Sequence, residues 1–187
     1  MSIRTYQGIA PQLGERVYID ESALVIGRVQ MGDDSSLWPF AVARGDVNRI
    51  VIGARTNIQD GSVLHVVHEA PRTHGGIPLL IGDDVTVGHK AMLHAVTVGN
   101  RCLIGMASVL LDGAVIEDEV IVGAGSVVPP GKRLESRGLY VGNPARRIRD
   151  VKPSELEGLL YSAQHYVQVK ELHRADQVLR VKASRME

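Results

Sequence analysis

The stretch "VGNRCLIGMASVLLDGAVIEDEVIVGAGSVV", residues 98–128, places an aliphatic residue at every sixth position. These anchor positions are Val98, Ile104, Leu110, Ile116, Val122 and Val128. A glycine often follows an anchor directly, and the fourth residue after an anchor is small. A period of six excludes an amphipathic α-helix, whose apolar residues recur at three and four. The pattern is typical of hexapeptide-repeat parallel β-helices, whose short strands form the sides of a prism and stack coil upon coil.

The spacing of six recurs towards the N-terminus in three runs: Met31, Leu37 and Ala43; Ile52, Ile58 and Leu64; and Ile81, Val87 and Leu93. The step from Ala43 to Ile52 is nine residues, and the step from Leu93 to Val98 is five. We therefore predict an all-β solenoid over residues 1–150. Resemblance to the hexapeptide class implies three hexads per coil and a left-handed parallel β-helix. The 17 residues from Leu64 to Ile81 hold one hexad and an insertion, so a loop is expected at about 66–78.

The remaining residues, 151–187, are predicted to form a C-terminal α-helix and tail. Pro153 and Ser154 suit a helix start, and the helix is expected from about 154 to 175. Residues 178–187 are expected to fray. The apolar stripe expected to pack on the prism comprises Leu156, Leu159, Leu160, Ala163, Val167 and Leu172.

The charge balance, the apolar runs and the cysteine count of the sequence argue against several classes of protein. Lysine and arginine total 21 and aspartate and glutamate also total 21, which argues against a nucleic-acid partner or a polyanionic surface. No apolar run approaches the length of a membrane span, and the first residues contain no signal-like apolar segment. The single cysteine, Cys102, excludes an intrachain disulfide and fits a reducing compartment. We expect a cytoplasmic protein without nucleic-acid or membrane partners.

Three histidines fall at informative positions of the repeat. His65 and His94 each follow an anchor by one residue, Leu64 and Leu93, so both point outward from one face, one coil apart. Stacked strands lie roughly 5 Å apart, which lets two imidazoles share one metal ion. His89 lies near a corner of the preceding face, so a neighbouring copy is expected to supply it. Three prisms around a threefold axis would create three such shared sites.

Other polar residues belong to the same columns. Gln59 and Asp60 lie one coil below the position of His89, where Asp60 is placed to orient that imidazole. Arg44 falls in the outward column of His65 and His94. An open metal position flanked by Arg, Gln and Asp suits a metal-hydroxide enzyme with a small anionic substrate or product.

The segments "ARGDVNRIVIGARTNIQDGSVLH" (43–65) and "VGHKAMLH" (87–94) resemble the gamma-class carbonic anhydrases and the carbonic anhydrase-like hexapeptide-repeat proteins of bacteria. The resemblance implies a homotrimer with zinc, or else iron or cobalt, at each subunit interface. It implies His65, His89 and His94 as metal ligands. The implied reaction is reversible hydration of CO2 to bicarbonate by a metal-bound hydroxide.

The resemblance also suggests roles for neighbouring polar residues. Gln59 matches the residue that hydrogen-bonds the metal-bound water. Arg44, Asp46 and Asp60 match charged interface residues that support the site and help to position bicarbonate. An alternative role for Arg44, Asp46 and Asp60 is an intersubunit ion-pair network that only holds the trimer together. Tyr166 lies in a helix segment, "YSAQHYV", that resembles the part of the family reaching the active site.

Two departures from the family pattern concern the reaction rate. Val47 stands where the best-studied enzyme has an acidic residue, and the loop "VVHEAPRTHGG" (66–76) replaces a glutamate-rich loop that contains the proton shuttle. His68, Glu69 and His74 are the candidate proton relays. Two alternatives therefore stay open: a metal-binding protein with weak or no hydratase activity, and an acyl-CoA acyltransferase or thioesterase on the same fold.

Overall fold

The computed structural model describes the backbone of residues 2–183 and the side chains of residues 2–176. Within that range the period-six anchors point into a narrow prism, where Ile58, Leu64, Leu93, Ile104 and Leu110 are fully buried. The predicted architecture is confirmed: the chain forms a left-handed parallel β-helix followed by one α-helix.

Within residues 2–183 the strands are mostly two or three residues long, as hexads require. In chain order they are β1 (Ile3–Arg4), β2 (Gln12–Leu13), β3 (Tyr18–Ile19), β4 (Leu24–Met31), β5 (Ser36–Leu37), β6 (Val42–Ile52), β7 (Asn57–Ile58), β8 (Val63–His65), β9 (Leu79–Ile81), β10 (Thr86–Val87), β11 (Met92–His94), β12 (Thr97–Val98), β13 (Leu103–Ile104), β14 (Val109–Leu110), β15 (Val115–Ile116), β16 (Ile121–Val122), β17 (Val127–Val128), β18 (Arg133–Leu134), β19 (Gly138–Val141) and β20 (Arg146–Asp150). The helix α1 is Pro153–Ala183.

The strands stack in register on three faces. On face 1, strands β8, β11, β14 and β17 follow the first part of β6, and on face 2, strands β9, β12, β15 and β18 follow its second part. Face 3 contains β3, β5, β7, β10, β13, β16 and β19, and the antiparallel strand β20 closes its end. Each anchor therefore pairs with an anchor of the next coil, as Leu64 does with Leu93 and Ile58 with Val87.

One corner of the prism, before face 3, carries a ladder of charged side chains with positive φ. From coil to coil the ladder alternates in sign, through Arg16, Asp34, Arg55, Asp84, Arg101, Glu119 and Arg137. Arg55 donates to Asp84 at 2.6 and 2.8 Å, and Arg101 and Arg137 both donate to Glu119. A left-handed φ costs a residue with a side chain about 1–2 kcal/mol. The stacked opposite charges offset part of that cost at every coil.

The helix packs on face 3 through a partly polar surface. The ring of Trp38 lies edge-on to Tyr166, with centroids 5.4 Å apart, and His173 lies against Trp38 at 5.1 Å. Lys170 is fully buried and donates to Asp34 at 3.0 Å, which ties the helix to the charged corner.

The expected C-terminal end of the helix and part of its expected contact face are wrong. The helix reaches Ala183 instead of ending near residue 175, so residues 178–183, which were expected to fray, are helical. No glycine or proline interrupts residues 176–183, so nothing in the sequence stops the helix there. Leu160 and Leu172 are exposed, at 39% and 69%, because the prism is contacted by a face containing Ala163, Tyr166 and Lys170.

One loop leaves the prism between faces 1 and 2. β8 ends at His65 and β9 begins at Leu79, so residues 66–78 leave the prism between faces 1 and 2. Within residues 2–183, no helix combines the length and the apolar character needed to cross a bilayer.

The corner contact at Asp34 predicts a pH-dependent stability. Hydrogen bonds from Arg16, and further ones from Lys170, lower the pKa of Asp34 to about 2. Because this pKa lies below the usual value of 3.8, the stabilisation is complete above about pH 4 and is lost as the pH falls towards 2. We expect Asp34→Asn to lower the free energy of unfolding at pH 7 by about 1–3 kcal/mol.

Thermal unfolding between pH 2 and pH 7 checks this expectation. The difference between wild type and Asp34→Asn should shrink below pH 4. Asp176→Asn, at an exposed helix position, is the control and should unfold like wild type. A difference that is constant with pH would contradict an ionised Asp34 as its source.

Candidate metal centre

Two imidazoles face each other on the outside of face 1. β8 and β11 pair in register, so His65 lies directly beside His94 on the next coil. Their ring centroids are 5.2 Å apart, and His65 Nδ1 approaches His94 Nε2 to 3.1 Å. Both rings are partly buried, with 18% and 31% of their side-chain surface exposed. Two nitrogens thus converge on one point, the arrangement that the repeat register predicts.

Carboxylates hold the other nitrogens of these rings. Asp46 Oδ1 lies 3.1 Å from His65 Nε2, and Asp112 Oδ1 lies 2.5 Å from His94 Nδ1. Arg44 forms an ion pair with Asp46. Metal-binding histidines commonly have such a carboxylate on the nitrogen away from the metal, where it fixes the tautomer and the ring orientation. The pair is therefore oriented before any ligand arrives.

The electrostatics at His65 favour its uncharged imidazole. Burial lowers the pKa of His65, and the nearby Arg44 and His94 lower it further, against the opposing effect of Asp46. Burial would raise the pKa of Asp46, but hydrogen bonds from Arg44 and His65 outweigh it and lower that pKa. An ionised carboxylate beside a neutral imidazole is the state in which histidine ligates metals.

His89 lies at a different edge, in the turn after β10. Its Nδ1 is 2.7 Å from Asp60 Oδ2, and 44% of its side chain is exposed. Within residues 2–176, no group of three or more histidine, cysteine, aspartate or glutamate side chains is arranged to hold a metal ion. A single chain therefore presents two parts, the His65–His94 pair and the His89–Asp60 pair, on separate surfaces.

Gln59 and Tyr166 lie on the same side as His89. Gln59 is buried and its amide donates to Asn57 at 3.1 Å. Together with His89 it lines an apolar groove of about 340 Å³ on face 3. Tyr166 is packed against Trp38, and its burial raises the pKa of its hydroxyl, with a smaller contribution from the charge of Asp60.

The three candidate proton relays lie in the loop 66–78. His68, Glu69 and His74 are exposed, and their side chains form no hydrogen bond or ion pair with any residue in the described part of the chain. Sequence reasoning missed Asn48, whose amide donates to the carbonyl oxygens of Val67 and Gly75 and so fixes this loop to β6.

Asp112 was also missed, although the register contained a signal for it. Leu93 pairs with Leu110. His94 is one residue after Leu93, and Asp112 is two residues after Leu110, so Asp112 lies one position further along the chain than the residue stacked on His94. An acidic residue at that position reaches back one coil to the imidazole.

Comparisons with known proteins identify the family of the chain. Residues 95–130 match the family model "Bacterial transferase hexapeptide (six repeats)". The chain is 56% identical to Protein YrdA of Escherichia coli over 90% of its own length and 92% of that protein. It is 41% identical to mitochondrial Gamma carbonic anhydrase 2 of Arabidopsis thaliana, over 89% of this chain and 60% of that one.

This chain belongs to the carbonic anhydrase-like hexapeptide-repeat family. A solved structure described as a putative acetyltransferase of Bacillus cereus has the same fold, with a TM-score of 0.86 and 34% identity over 92% of this chain and 96% of that one. The family thus contains relatives whose names point to two different reactions.

The oriented histidine pair predicts how metal affinity responds to Asp112. Replacing Asp112 with Asn removes the anionic acceptor at His94 Nδ1 and should weaken zinc binding by about 10–100-fold. Asp150→Asn, which breaks an exposed ion pair with Arg147 at the far end of the prism, is the matched control. Competition of both variants and wild type with a chelator of known affinity measures the effect. Equal affinities in all three proteins would show that Asp112 does not support a ligand.

Proposed function

We propose that this protein is a metal-dependent, gamma-class carbonic anhydrase-like protein that hydrates CO2 reversibly to bicarbonate. The observation that carries the proposal is the His65–His94 pair, with its converging nitrogens and an orienting carboxylate on each ring. The similarity to Gamma carbonic anhydrase 2 supports the reaction. Cys102 is buried and unpaired, which supports a reducing, cytoplasmic location.

The donor set fits zinc, with iron or cobalt as alternatives. Neutral imidazoles with a carboxylate behind each ring are ligands that zinc commonly accepts, and a catalytic zinc takes three protein ligands. His65 and His94 would supply two of them and His89 of a second copy the third, because the two parts lie on separate surfaces of one chain. This division favours a homotrimer with a shared site at each interface.

A zinc ion held there would supply water acidified to a pKa of about 7, and hence a nucleophile at neutral pH. The protein's own groups would do the rest. Asp46, Asp112 and Asp60 hold the three imidazoles in one orientation. The Arg44 guanidinium, half-exposed beside Asp46, would attract the bicarbonate anion. Gln59, whose NH2 group donates to Asn57, would accept a hydrogen bond from the attacking water through its amide oxygen.

Mixed trimers test the shared site directly. His94→Ala alone and His89→Ala alone should each abolish CO2 hydration in a stopped-flow assay of metal-loaded protein. If each site combines His65 and His94 of one copy with His89 of the next, every mixed trimer has one intact site of three. Random 1:1 assembly should therefore restore about a quarter of the wild-type rate.

Each arm of this assay has an outcome that counts against the proposal. Hydration by His94→Ala at the wild-type rate would rule out the proposed metal centre. No recovery on mixing, with wild type active, would show that the three histidines of one site come from one chain. Stoichiometric metal without turnover in wild type would favour a metal-binding protein that lacks hydratase activity.

The groove beside His89 favours a second candidate, hydrolysis of or transfer from an acyl thioester. Its volume of about 340 Å³ exceeds the needs of CO2, and its lining is mainly apolar, including Leu103, Met106 and Ile121. The similarity to the Bacillus cereus protein described as a putative acetyltransferase points the same way. Assays with acyl-CoA compounds of two to eight carbons, monitored by release of free thiol, should give turnover that depends on His89. Turnover that is absent for every compound would eliminate this candidate.

A further inference from the structure

A second cleft lies on face 2, at the N-terminal end of the prism. Its volume is about 180 Å³, and it is bordered by Arg28 of β4 and Arg49 of β6. Among the residues that the structure describes, no aspartate or glutamate lines it, and neither His65 nor His94 borders it. Its properties can therefore be tested independently of the proposed function.

The two arginines come from neighbouring strands at a point where the pairing shifts. Val29 of β4 pairs with Ile50 of β6, and each is preceded by an arginine. The register shifts between Gly27 and Val29, so Arg28 and Arg49 are not themselves a cross-strand pair. Both side chains are exposed and border the same cleft. Two positive charges at one cleft attract a negative group.

The protein itself supplies no such group in the part of the chain that the structure describes. Arg28 donates to a backbone carbonyl, that of Asp46, at 3.3 Å. The Arg49 guanidinium has no hydrogen-bond or ion-pair partner within residues 2–176. The corner ladder shows the contrast, because there each stacked arginine, such as Arg55, faces a carboxylate of the next coil.

The rest of the cleft combines amides with an apolar surface. Gln12 and Gln30 pair in register, so their side chains form a short polar column beside the arginines. Ile9 and Val51 border the same space, and Ile50 is fully buried beneath it. One side of the cleft is thus cationic and rich in hydrogen-bond donors, and the other side is apolar.

We propose that this cleft binds a small organic carboxylate with a short aliphatic chain. Guanidinium groups bind carboxylates through paired, charge-assisted hydrogen bonds, which Arg28 and Arg49 can provide at the border of the cleft. The aliphatic chain would lie over Ile9 and Val51. Pockets for drug-sized ligands measure about 300–1,000 Å³, so 180 Å³ suits an acid of only a few carbons.

Ligand-observed NMR titrations of the full-length protein with acetate, butanoate and inorganic phosphate test the proposal. Butanoate should bind about tenfold more tightly than acetate, because two additional CH2 groups leave water. It should also bind more tightly than phosphate, which has no apolar part. Arg49→Gln should weaken butanoate binding at least about tenfold by removing a charge-assisted hydrogen bond.

Arg72→Gln is the matched control. Arg72 lies in the loop 66–78, is exposed, and does not line the cleft, so this variant has the same change in charge and should bind butanoate like wild type. Equal affinities for acetate and butanoate, phosphate binding as tight as butanoate, or the same loss in both variants would each overturn the proposal. Absence of butanoate binding to wild type would overturn it as well.

Discussion

The in-register stacking of six-residue strands is the constraint on which the whole molecule depends. Each anchor is buried against the anchor of the next coil, as Leu64 is against Leu93 and Leu93 is against Leu110. Because side chains alternate along a strand, a slip of one residue would turn the anchors out and the neighbouring polar residues in. The same register that fills the interior therefore also fixes what stands beside what on the outside. His65 and His94 meet because Leu64 and Leu93 do.

The prism turns its corners at a cost that the polar residues offset. At the charged corner, residues with side chains adopt positive φ in coil after coil, and opposite charges alternate along the stack. The helix is attached to this corner by a buried lysine rather than by a continuous apolar stripe. Lys170 and Asp34 thus join the helix to the prism beside the contact of Tyr166 with Trp38. Removing Asp34 would take a carboxylate from the buried, charged amine of Lys170, and an incompletely paired buried charge destabilises the folded state.

At the candidate metal centre, orientation is achieved by carboxylates that ligate nothing themselves. Each of the three imidazoles has one nitrogen hydrogen-bonded to an aspartate, which leaves the other nitrogen for a metal. The bonds join His65 Nε2 to Asp46, His89 Nδ1 to Asp60 and His94 Nδ1 to Asp112. The aspartates differ in how they reach the ring. Asp46 comes from the long strand β6, Asp60 from a corner one coil below, and Asp112 from the coil above. The site is thus built mainly from stacked coils. The loop 66–78, held by Asn48, adjoins it with exposed titratable groups.

The sequence by itself determined the solenoid, the coil register, the loop at 66–78 and the columns of the histidines, because a period of six with few interruptions leaves only one way to bury its anchors. Those predictions needed no knowledge of side-chain contacts. The tertiary structure decided which side chains form the remaining contacts. Asp112 accepts a hydrogen bond from His94, Asn48 holds the loop, and Lys170 places a charged group on the packed face of the helix. These depend on distances between coils and on side-chain direction, which periodicity does not contain. The cleft that Arg28 and Arg49 border likewise emerged only from the structure, because the two arginines are far apart along the chain and come together only when β4 packs beside β6.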